Sequence, residues 1–188
     1  MLRFKERYEK EAIPGLKAQL ALRSRMAVPR VEKVMVNTGF GRLAAAATGD
    51  EQKKIADGVV ENLTMICGQK PVLTLAKKSI ASFKLRKGMP VGAKVTLRGR
   101  RMEDFLDRLV GIALPRSRDF QGISPQGVDQ NGNLTIGLKE QITFPEISPE
   151  NVKKLFGLEA VIVTTAKNQA EGIALFKLLG FPFKNFEK

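Results

Sequence analysis

Two stretches of this chain carry residue types suited to holding phosphate. In the first, Lys77-Lys78-Ser79-Ile80-Ala81-Ser82-Phe83-Lys84-Leu85-Arg86-Lys87-Gly88-Met89-Pro90, five bases are interleaved with two hydroxyls and one aromatic. Lys and Arg neutralise phosphates, Ser donates to them, and Phe83 or Met89 can rest against a sugar or a base. The pattern fits a projecting arm, with Gly88 and Pro90 marking a turn. It also fits an amphipathic helix whose Ile80 and Phe83 face a core. The second stretch is Val91 to Arg98, where Val91, Ala93, Val95 and Leu97 alternate with Gly92, Lys94, Thr96 and Arg98. Period-two alternation makes this a strand with an apolar face and a face of Lys, Thr and Arg that can lie on phosphates.

The charge balance places these stretches in context. The chain has 188 residues with 32 Lys or Arg and 19 Asp or Glu, a net charge of +13. No acid occurs between Glu61 and Glu103, a span of 41 residues that holds ten bases. The rest of the chain holds 22 bases against 19 acids. A large single-sign field repels itself and is kept chiefly where it meets an opposite one, so a polyanion partner is expected. Nucleic acid fits better than a membrane surface, because the segment lacks Trp and a basic helical stripe.

Other chemistry is excluded by composition. There is no His, which removes an imidazole base, a His-ligated zinc and a Ser-His-Asp triad. The single Cys67 rules out an internal disulfide or a multi-Cys metal site and is read as a small core residue in a reducing compartment. No apolar run reaches the roughly 20 residues that span a bilayer, and the start of the chain lacks a signal peptide's apolar stretch. Gly39-Phe40-Gly41 echoes a dinucleotide loop but lacks its third Gly and its acid. The carboxylates form no spaced pair that would tune an acid and a base, so no catalysis, cofactor or metal is expected.

Several elements must position the two basic stretches. Residues 3–25 are expected to be helical in two pieces, with Pro14 in the first turn of the second, inside an N-terminal helical region 1–27. Val31 to Gly39 is a strand with Val34 and Val36 on one face and Lys33, Met35 and Asn37 on the other. Ala44–Ala47 is a loop or a helix lead-in. Thr48 and Glu51 have capping-box spacing ahead of the stripe Ile55, Val59, Leu63 and Ile66, which Gly68 stops. Val72 to Ala76 is a short strand. Met102, Phe105, Leu106, Leu109 and Ala113 form an amphipathic helix ended by Pro115. An Asn131-Gly132 turn precedes the alternating strand Leu134, Ile136, Leu138, and Val161 to Thr165 is a more buried strand. Asn168 and Glu171 cap a final helix that Gly180 closes. With no repeat and no linker, the expectation is a single α+β domain over 1–188. It has a mostly antiparallel sheet, helices packed on one face and a basic arm at 78–90.

The ordered blocks resemble a known family, the bacterial-type large-subunit ribosomal protein five. They are Val28-Pro29-Arg30-Val31-Glu32-Lys33 with Asn37-Thr38-Gly39-Phe40-Gly41; Gly68-Gln69-Lys70-Pro71; Lys78-Ser79 through Phe83-Lys84-Leu85-Arg86 to Gly88; Lys94-Val95-Thr96-Leu97-Arg98; Leu114-Pro115-Arg116 with Arg118-Asp119-Phe120; Glu140-Gln141 with Phe144-Pro145-Glu146-Ile147; Thr164-Thr165-Ala166; and Gly180-Phe181-Pro182-Phe183. The resemblance implies a curved antiparallel sheet and a non-enzymatic protein that attaches 5S rRNA in the central protuberance of the large subunit. It implies contact with 5S and large-subunit rRNA through Lys33, Asn37, Thr38, Gly39, Gln69, Lys70, Thr74, Lys77, Lys94, Thr96 and Arg98. An arm made of Lys78, Ser79, Ser82, Phe83, Lys84, Arg86 and Lys87 is implied to approach peptidyl-site tRNA. Arg116, Arg118, Asp119 and Phe120 are implied to lie at a bridge to small-subunit protein thirteen, near neighbouring central-protuberance proteins. The chain departs from the family pattern at Arg42, at Glu103 and over Gln130–Leu134.

The expected setting is a cytoplasmic ribosome, with an organellar ribosome of bacterial type left open. Two alternatives remain on the residues alone: an RNA-binding or RNA-remodelling module outside the ribosome, and, from the Gly39-Phe40-Gly41 echo, a small nucleotide-using enzyme.

Overall fold

The computed structural model describes residues 3–47, 49–118, 120–148, 150 and 154–184. Its five strands, β1 (Val31–Gly39), β2 (Val72–Leu75), β3 (Pro90–Leu97), β4 (Leu134–Leu138) and β5 (Leu158–Thr164), form one sheet in the order β2-β3-β1-β5-β4. The fold is α+β, as expected. Neighbouring strands are antiparallel, with Val72 opposite Lys94, Leu73 opposite Ala93 and Thr74 opposite Gly92 where β2 meets β3. The described residues gather into two compact units. One draws on Met1–Val34, Arg98–Ile136 and Val161–Lys188, the other on Met35–Leu97 and Gly137–Ala160.

In the second unit, α3 (Gly41–Ala46) and α4 (Asp50–Cys67) pack on β3, and α4 also reaches β2. The α4 residues Ile55, Val59, Leu63 and Ile66 share one helical face and are all buried, as is Cys67. Gly68 ends the helix with φ +64, a conformation that costs Gly nothing and lets its N–H reach Thr64 O at 2.8 Å. The start of α4 differs from the expected capping box. Gly49 holds the cap position without a side-chain bond, and Thr48 lies outside the described residues. The Ala44–Ala47 patch turns out to complete α3 and to bury Ala44 and Ala47.

In the first unit, α1 (Phe4–Arg7) runs through a π-helical turn, Tyr8–Ala12, into α2 (Ile13–Gln19). The two expected N-terminal pieces are therefore one unbroken helix, with Pro14 in the first turn of α2, but it ends at Gln19 and not at residue 25, and only a 3-10 turn, Arg25–Ala27, follows. The same device recurs where α5 (Gly99–Arg108) passes through a π-helical turn, Leu109–Ala113, into α6 (Leu114–Arg116). Pro115 does not end that helix. A proline lacks the N–H and its ring strikes the carbonyl four residues back, and the widened turn ahead of each proline relieves both problems. The expected apolar stripe holds, with Met102, Phe105, Leu106, Leu109 and Ala113 buried.

The last helix, α7 (Gln169–Leu178), starts as expected. Asn168 Oδ1 accepts from Glu171 N–H at 2.8 Å, while Glu171 Oε2 accepts from Lys167 N–H at 2.9 Å. The turn before β4 is tied by Asp129, whose Oδ1 accepts from the N–H groups of Asn131 and Asn133. Partial burial works against the Asp129 carboxylate. The three hydrogen bonds from Asn133 and Asn131 outweigh it and hold the group below its usual range. β5 begins three residues before the expected start, and only its alternate residues Leu158, Ala160, Ile162 and Thr164 are buried.

α7 lies very close to that turn, because a Cβ on Gly172 would sit 2.6 Å from Gly132 Cα and 2.7 Å from Gly132 O. Alanine at a helix interior normally gains about 1 kcal/mol over glycine. Here the obstacle is backbone, and overpacking costs roughly 1–3 kcal/mol. Gly172→Ala should therefore lower the melting temperature by several degrees. Gly15→Ala, whose Cβ meets only the flexible Leu178 methyls at 3.0 Å, should be close to neutral. Thermal melts of the two variants check this, and a Gly172→Ala protein more stable than the parent would contradict it.

Candidate nucleic-acid interface

The alternation of β3 puts Ala93, Val95 and Leu97 in the core and leaves Lys94 and Thr96 exposed. In register, Val72 stands opposite Lys94 and is 64% exposed, so it shares the open face. Gly68 redirects the chain out of α4 so that Gln69 Nε2 reaches Thr96 O at 3.4 Å, with Lys70 exposed beside it. On β1, Met35 and Gly39 are exposed and Asn37 half-buried, with Asn37 Nδ2 donating to Glu159 Oε2 at 3.1 Å. Within this unit the open face thus carries Asn37, Gly39, Gln69, Lys70, Lys94 and Thr96, with two apolar side chains, Met35 and Val72, among them. Thr74 is half-buried against Gly92.

Thr38 is placed differently from the expectation. It falls in step with Val34 and Val36, is buried, and donates its hydroxyl to Gly157 O at 2.6 Å. Its side chain belongs to the core side of the sheet. Lys33 and Arg98 belong to the first unit. Lys33 is half-buried, and exposed Arg98 lies 3.3 Å from the exposed Glu32 carboxylate. Such a pair is weak in water and leaves most of the guanidinium free to meet a phosphate.

The segment from Lys77 to Met89 is an arm and not an amphipathic helix. Its hydrogen bonds run across the chain. Ala76 N–H donates to Met89 O, Gly88 N–H to Ala76 O, and Ile80 and Leu85 exchange both of theirs. A short 3-10 turn, Ala81–Phe83, forms the tip. Ser79 Oγ accepts from Lys87 N–H at 2.9 Å, so this hydroxyl orders the arm. Lys77, Lys78, Ser82, Lys84, Arg86 and Lys87 are all exposed, and Phe83 is 66% exposed. Met89, read from the sequence as a possible RNA contact, is instead buried and anchors the arm's base. In the first unit Arg116 and Arg118 are exposed and Phe120 half-buried, while Asp119 lies outside the described residues.

Sequence reasoning did not single out Val72 or Glu159. The exposure of Val72 follows from its pairing with Lys94, which only the tertiary register supplies. Among the described residues no group of three or more His, Cys, Asp or Glu is placed to hold a metal, and no helix is long and apolar enough to cross a membrane.

Known proteins are similar to this chain over nearly its whole length. The family pattern described as Ribosomal protein L5 matches residues 24–86, and the pattern for the C-terminus of the same ribosomal family matches residues 90–183. The large ribosomal subunit protein uL5 of Thermoanaerobacter sp. (strain X514) is 51% identical over 183 residues, covering 97% of this chain and 99% of its own length. The uL5 of Syntrophotalea carbinolica is 53% identical, covering 96% of this chain and 95% of its own. That of Desulfotalea psychrophila is 50% identical, covering 98% and 99%. Matches to both halves, in order and nearly end to end, define a ribosomal protein and not a generic RNA-binding module. The chain belongs to the ribosomal protein L5 family, uL5.

One buried glycine of β3, Gly92, is tightly constrained. A Cβ on Gly92 would lie 2.7 Å from Thr74 Oγ1 and 2.8 Å from Thr38 O. Gly92→Ala should cost about 1–3 kcal/mol. Combining it with Thr74→Ala should recover only part of that, because the Thr38 carbonyl is backbone and cannot swing away. Urea unfolding of the single and double variants measures both effects, and full recovery in the double variant would contradict the assignment.

Proposed function

We propose that this chain is a structural constituent of the large ribosomal subunit that binds 5S rRNA through its open sheet face. In this proposal it presents the Lys78–Lys87 arm to peptidyl-site tRNA and the 116–120 segment to small-subunit protein thirteen. Membership of the ribosomal protein L5 family supports the ribosomal setting and a non-enzymatic role. The observation that carries the 5S rRNA assignment is the open face itself, where Lys70, Lys94 and Thr96 are exposed over a strand whose other side is core.

The chemistry of that face suits a folded RNA. Double-stranded RNA offers a wide, shallow minor groove lined by 2′-hydroxyls and flanked by phosphates. A sheet face bearing Lys, Thr, Asn and Gln can meet all of these, while Met35 and Val72 give flat apolar ground for a sugar or an unstacked base. The arm differs in kind. Counted from Lys77 it has five exposed cations and an exposed aromatic, held away from the core by two pairs of cross-chain bonds. It can reach a second nucleic acid without disturbing the first.

Affinity should be dominated by phosphate neutralisation, falling by about 0.7–0.9 log unit per log unit of salt for each phosphate contacted. Lys70→Ala with Lys94→Ala should weaken 5S rRNA binding by roughly tenfold or more and flatten the salt slope by about 1–2. Lys84→Ala, Arg86→Ala and Lys87→Ala together should leave it nearly unchanged. Titrations against 5S rRNA and an unrelated folded RNA at near-physiological salt test this. Equal affinity for the two RNAs, or loss of binding only in the arm variant, would overturn the assignment.

A further inference from the structure

At the base of the arm, within the second unit, lies an open cleft of about 640 Å³ whose apolar floor the proposed RNA contacts leave unused, although Lys77, Lys78 and Phe83 on its edge are shared with them. α3 forms one wall through Gly41 and Ala45, β3 adds Val91, and the stem of the arm adds Ala76 and Leu85. Ile80 and Phe83 also line it, and both remain well exposed to water. Among the described residues the charged ones along it are Arg42, Lys77 and Lys78, all exposed. The result is an apolar slot with a wholly cationic rim.

That combination selects an occupant. A nucleobase would bring ring nitrogens and carbonyls into a lining that offers them few partners, and unpartnered polar groups are costly to bury. An aliphatic or aromatic side chain has no such groups and gains by displacing water from Ala45, Val91 and Leu85. The rim then demands negative charge on either side of the inserted group, where oppositely charged partners steer association and fix orientation. We propose that this cleft docks an acidic protein segment that inserts one or two apolar side chains between Asp or Glu residues paired with Arg42, Lys77 and Lys78. This is groove recognition of an amphipathic segment, with the apolar anchor carrying most of the binding. Lys77 and Lys78 also belong to the surfaces assigned to RNA, so the acidic segment and RNA compete for them. The proposal stands on the cleft and does not require the 5S rRNA assignment.

The test uses the full chain and a fluorescein-labelled peptide of Asp and Glu interrupted by a Leu–Phe pair, read by fluorescence anisotropy. Saturable binding is expected. It should weaken by about tenfold or more when Ser replaces the Leu–Phe pair, and similarly in Ala45→Glu, which sets a like charge in the slot. Phe83→Ser, at a largely exposed position that leaves the fold intact, should also weaken it. Affinity of Ala45→Glu for 5S rRNA should stay within about twofold of the parent, since Ala45 is off the open sheet face. Undiminished binding of the Ser peptide would show that charge alone acts and would overturn the proposal. So would peptide binding unaffected by both protein variants. Binding of a short oligouridylate that Ala45→Glu abolishes would assign the cleft to a base and overturn it as well. Failure of the parent chain to bind 5S rRNA would sink the ribosomal RNA assignment and leave the cleft untouched.

Discussion

Burial of Ala93, Val95 and Leu97 beneath α3 and α4 governs where the cations of this protein can go. Side chains on a strand alternate strictly, so a one-residue slip of β3 would carry Lys94 into the core and Val95 into water. An unpaired ammonium in an apolar interior is far costlier than any packing it could replace. The register is thereby fixed, and the pairing of β2 with β3 fixes Val72 and Thr74 in turn. The arm inherits its position from the same source. Its stem continues that strand pair through the Ala76 and Met89 bonds, and buried Met89 holds the base while the tip stays in water.

Electrostatics explains why such a surface favours an anionic partner. Ten like charges in 41 residues repel one another and oppose the compact state, and no acid within the stretch offsets them. Carboxylates from outside the stretch approach it at points: Glu32 rests near Arg98 and Asp104 near Arg100, while Glu159 accepts from the Asn37 amide. Each acid touches the edge of the basic surface without neutralising it, since exposed pairs contribute little in water. Phosphate is the counter-charge the surface lacks. The arm and the open face distribute their cations differently. On the face, cations are spread among hydroxyls and amides, whereas on the arm they are crowded around one aromatic.

Much of this was readable from the residues, and the exceptions have specific physical causes. β1 and β3 were visible because period-two alternation is a local signal, and α4 because its apolar stripe ends at a glycine. The Asn168–Glu171 cap could be read from side-chain chemistry alone. The continuity of the helices through Pro14 and Pro115 could not, because it depends on a one-residue shift of hydrogen bonding that leaves no residue type as a mark. Ile80 and Phe83 are spaced to suit either a helix or an arm, and only the long-range bonds from Ala76 and Ile80 decided between them. Thr38 is a different case. Its parity with Val34 and Val36 puts it on the core side, whereas the family resemblance implies an RNA contact there. The positions of Val72 and Met89 and the cleft at the arm's base arise from pairing between distant residues, which no local pattern encodes.

The central claim is that the basic stretch divides into two surfaces and that the open sheet face, not the arm, engages 5S rRNA. Acetylation footprinting of lysines, read by mass spectrometry with and without 5S rRNA, tests it residue by residue on the intact protein. The account predicts that 5S rRNA protects Lys70 and Lys94 from modification while Lys84 and Lys87 stay as reactive as in the free chain. Protection of Lys84 and Lys87 with Lys70 and Lys94 still reactive would contradict it.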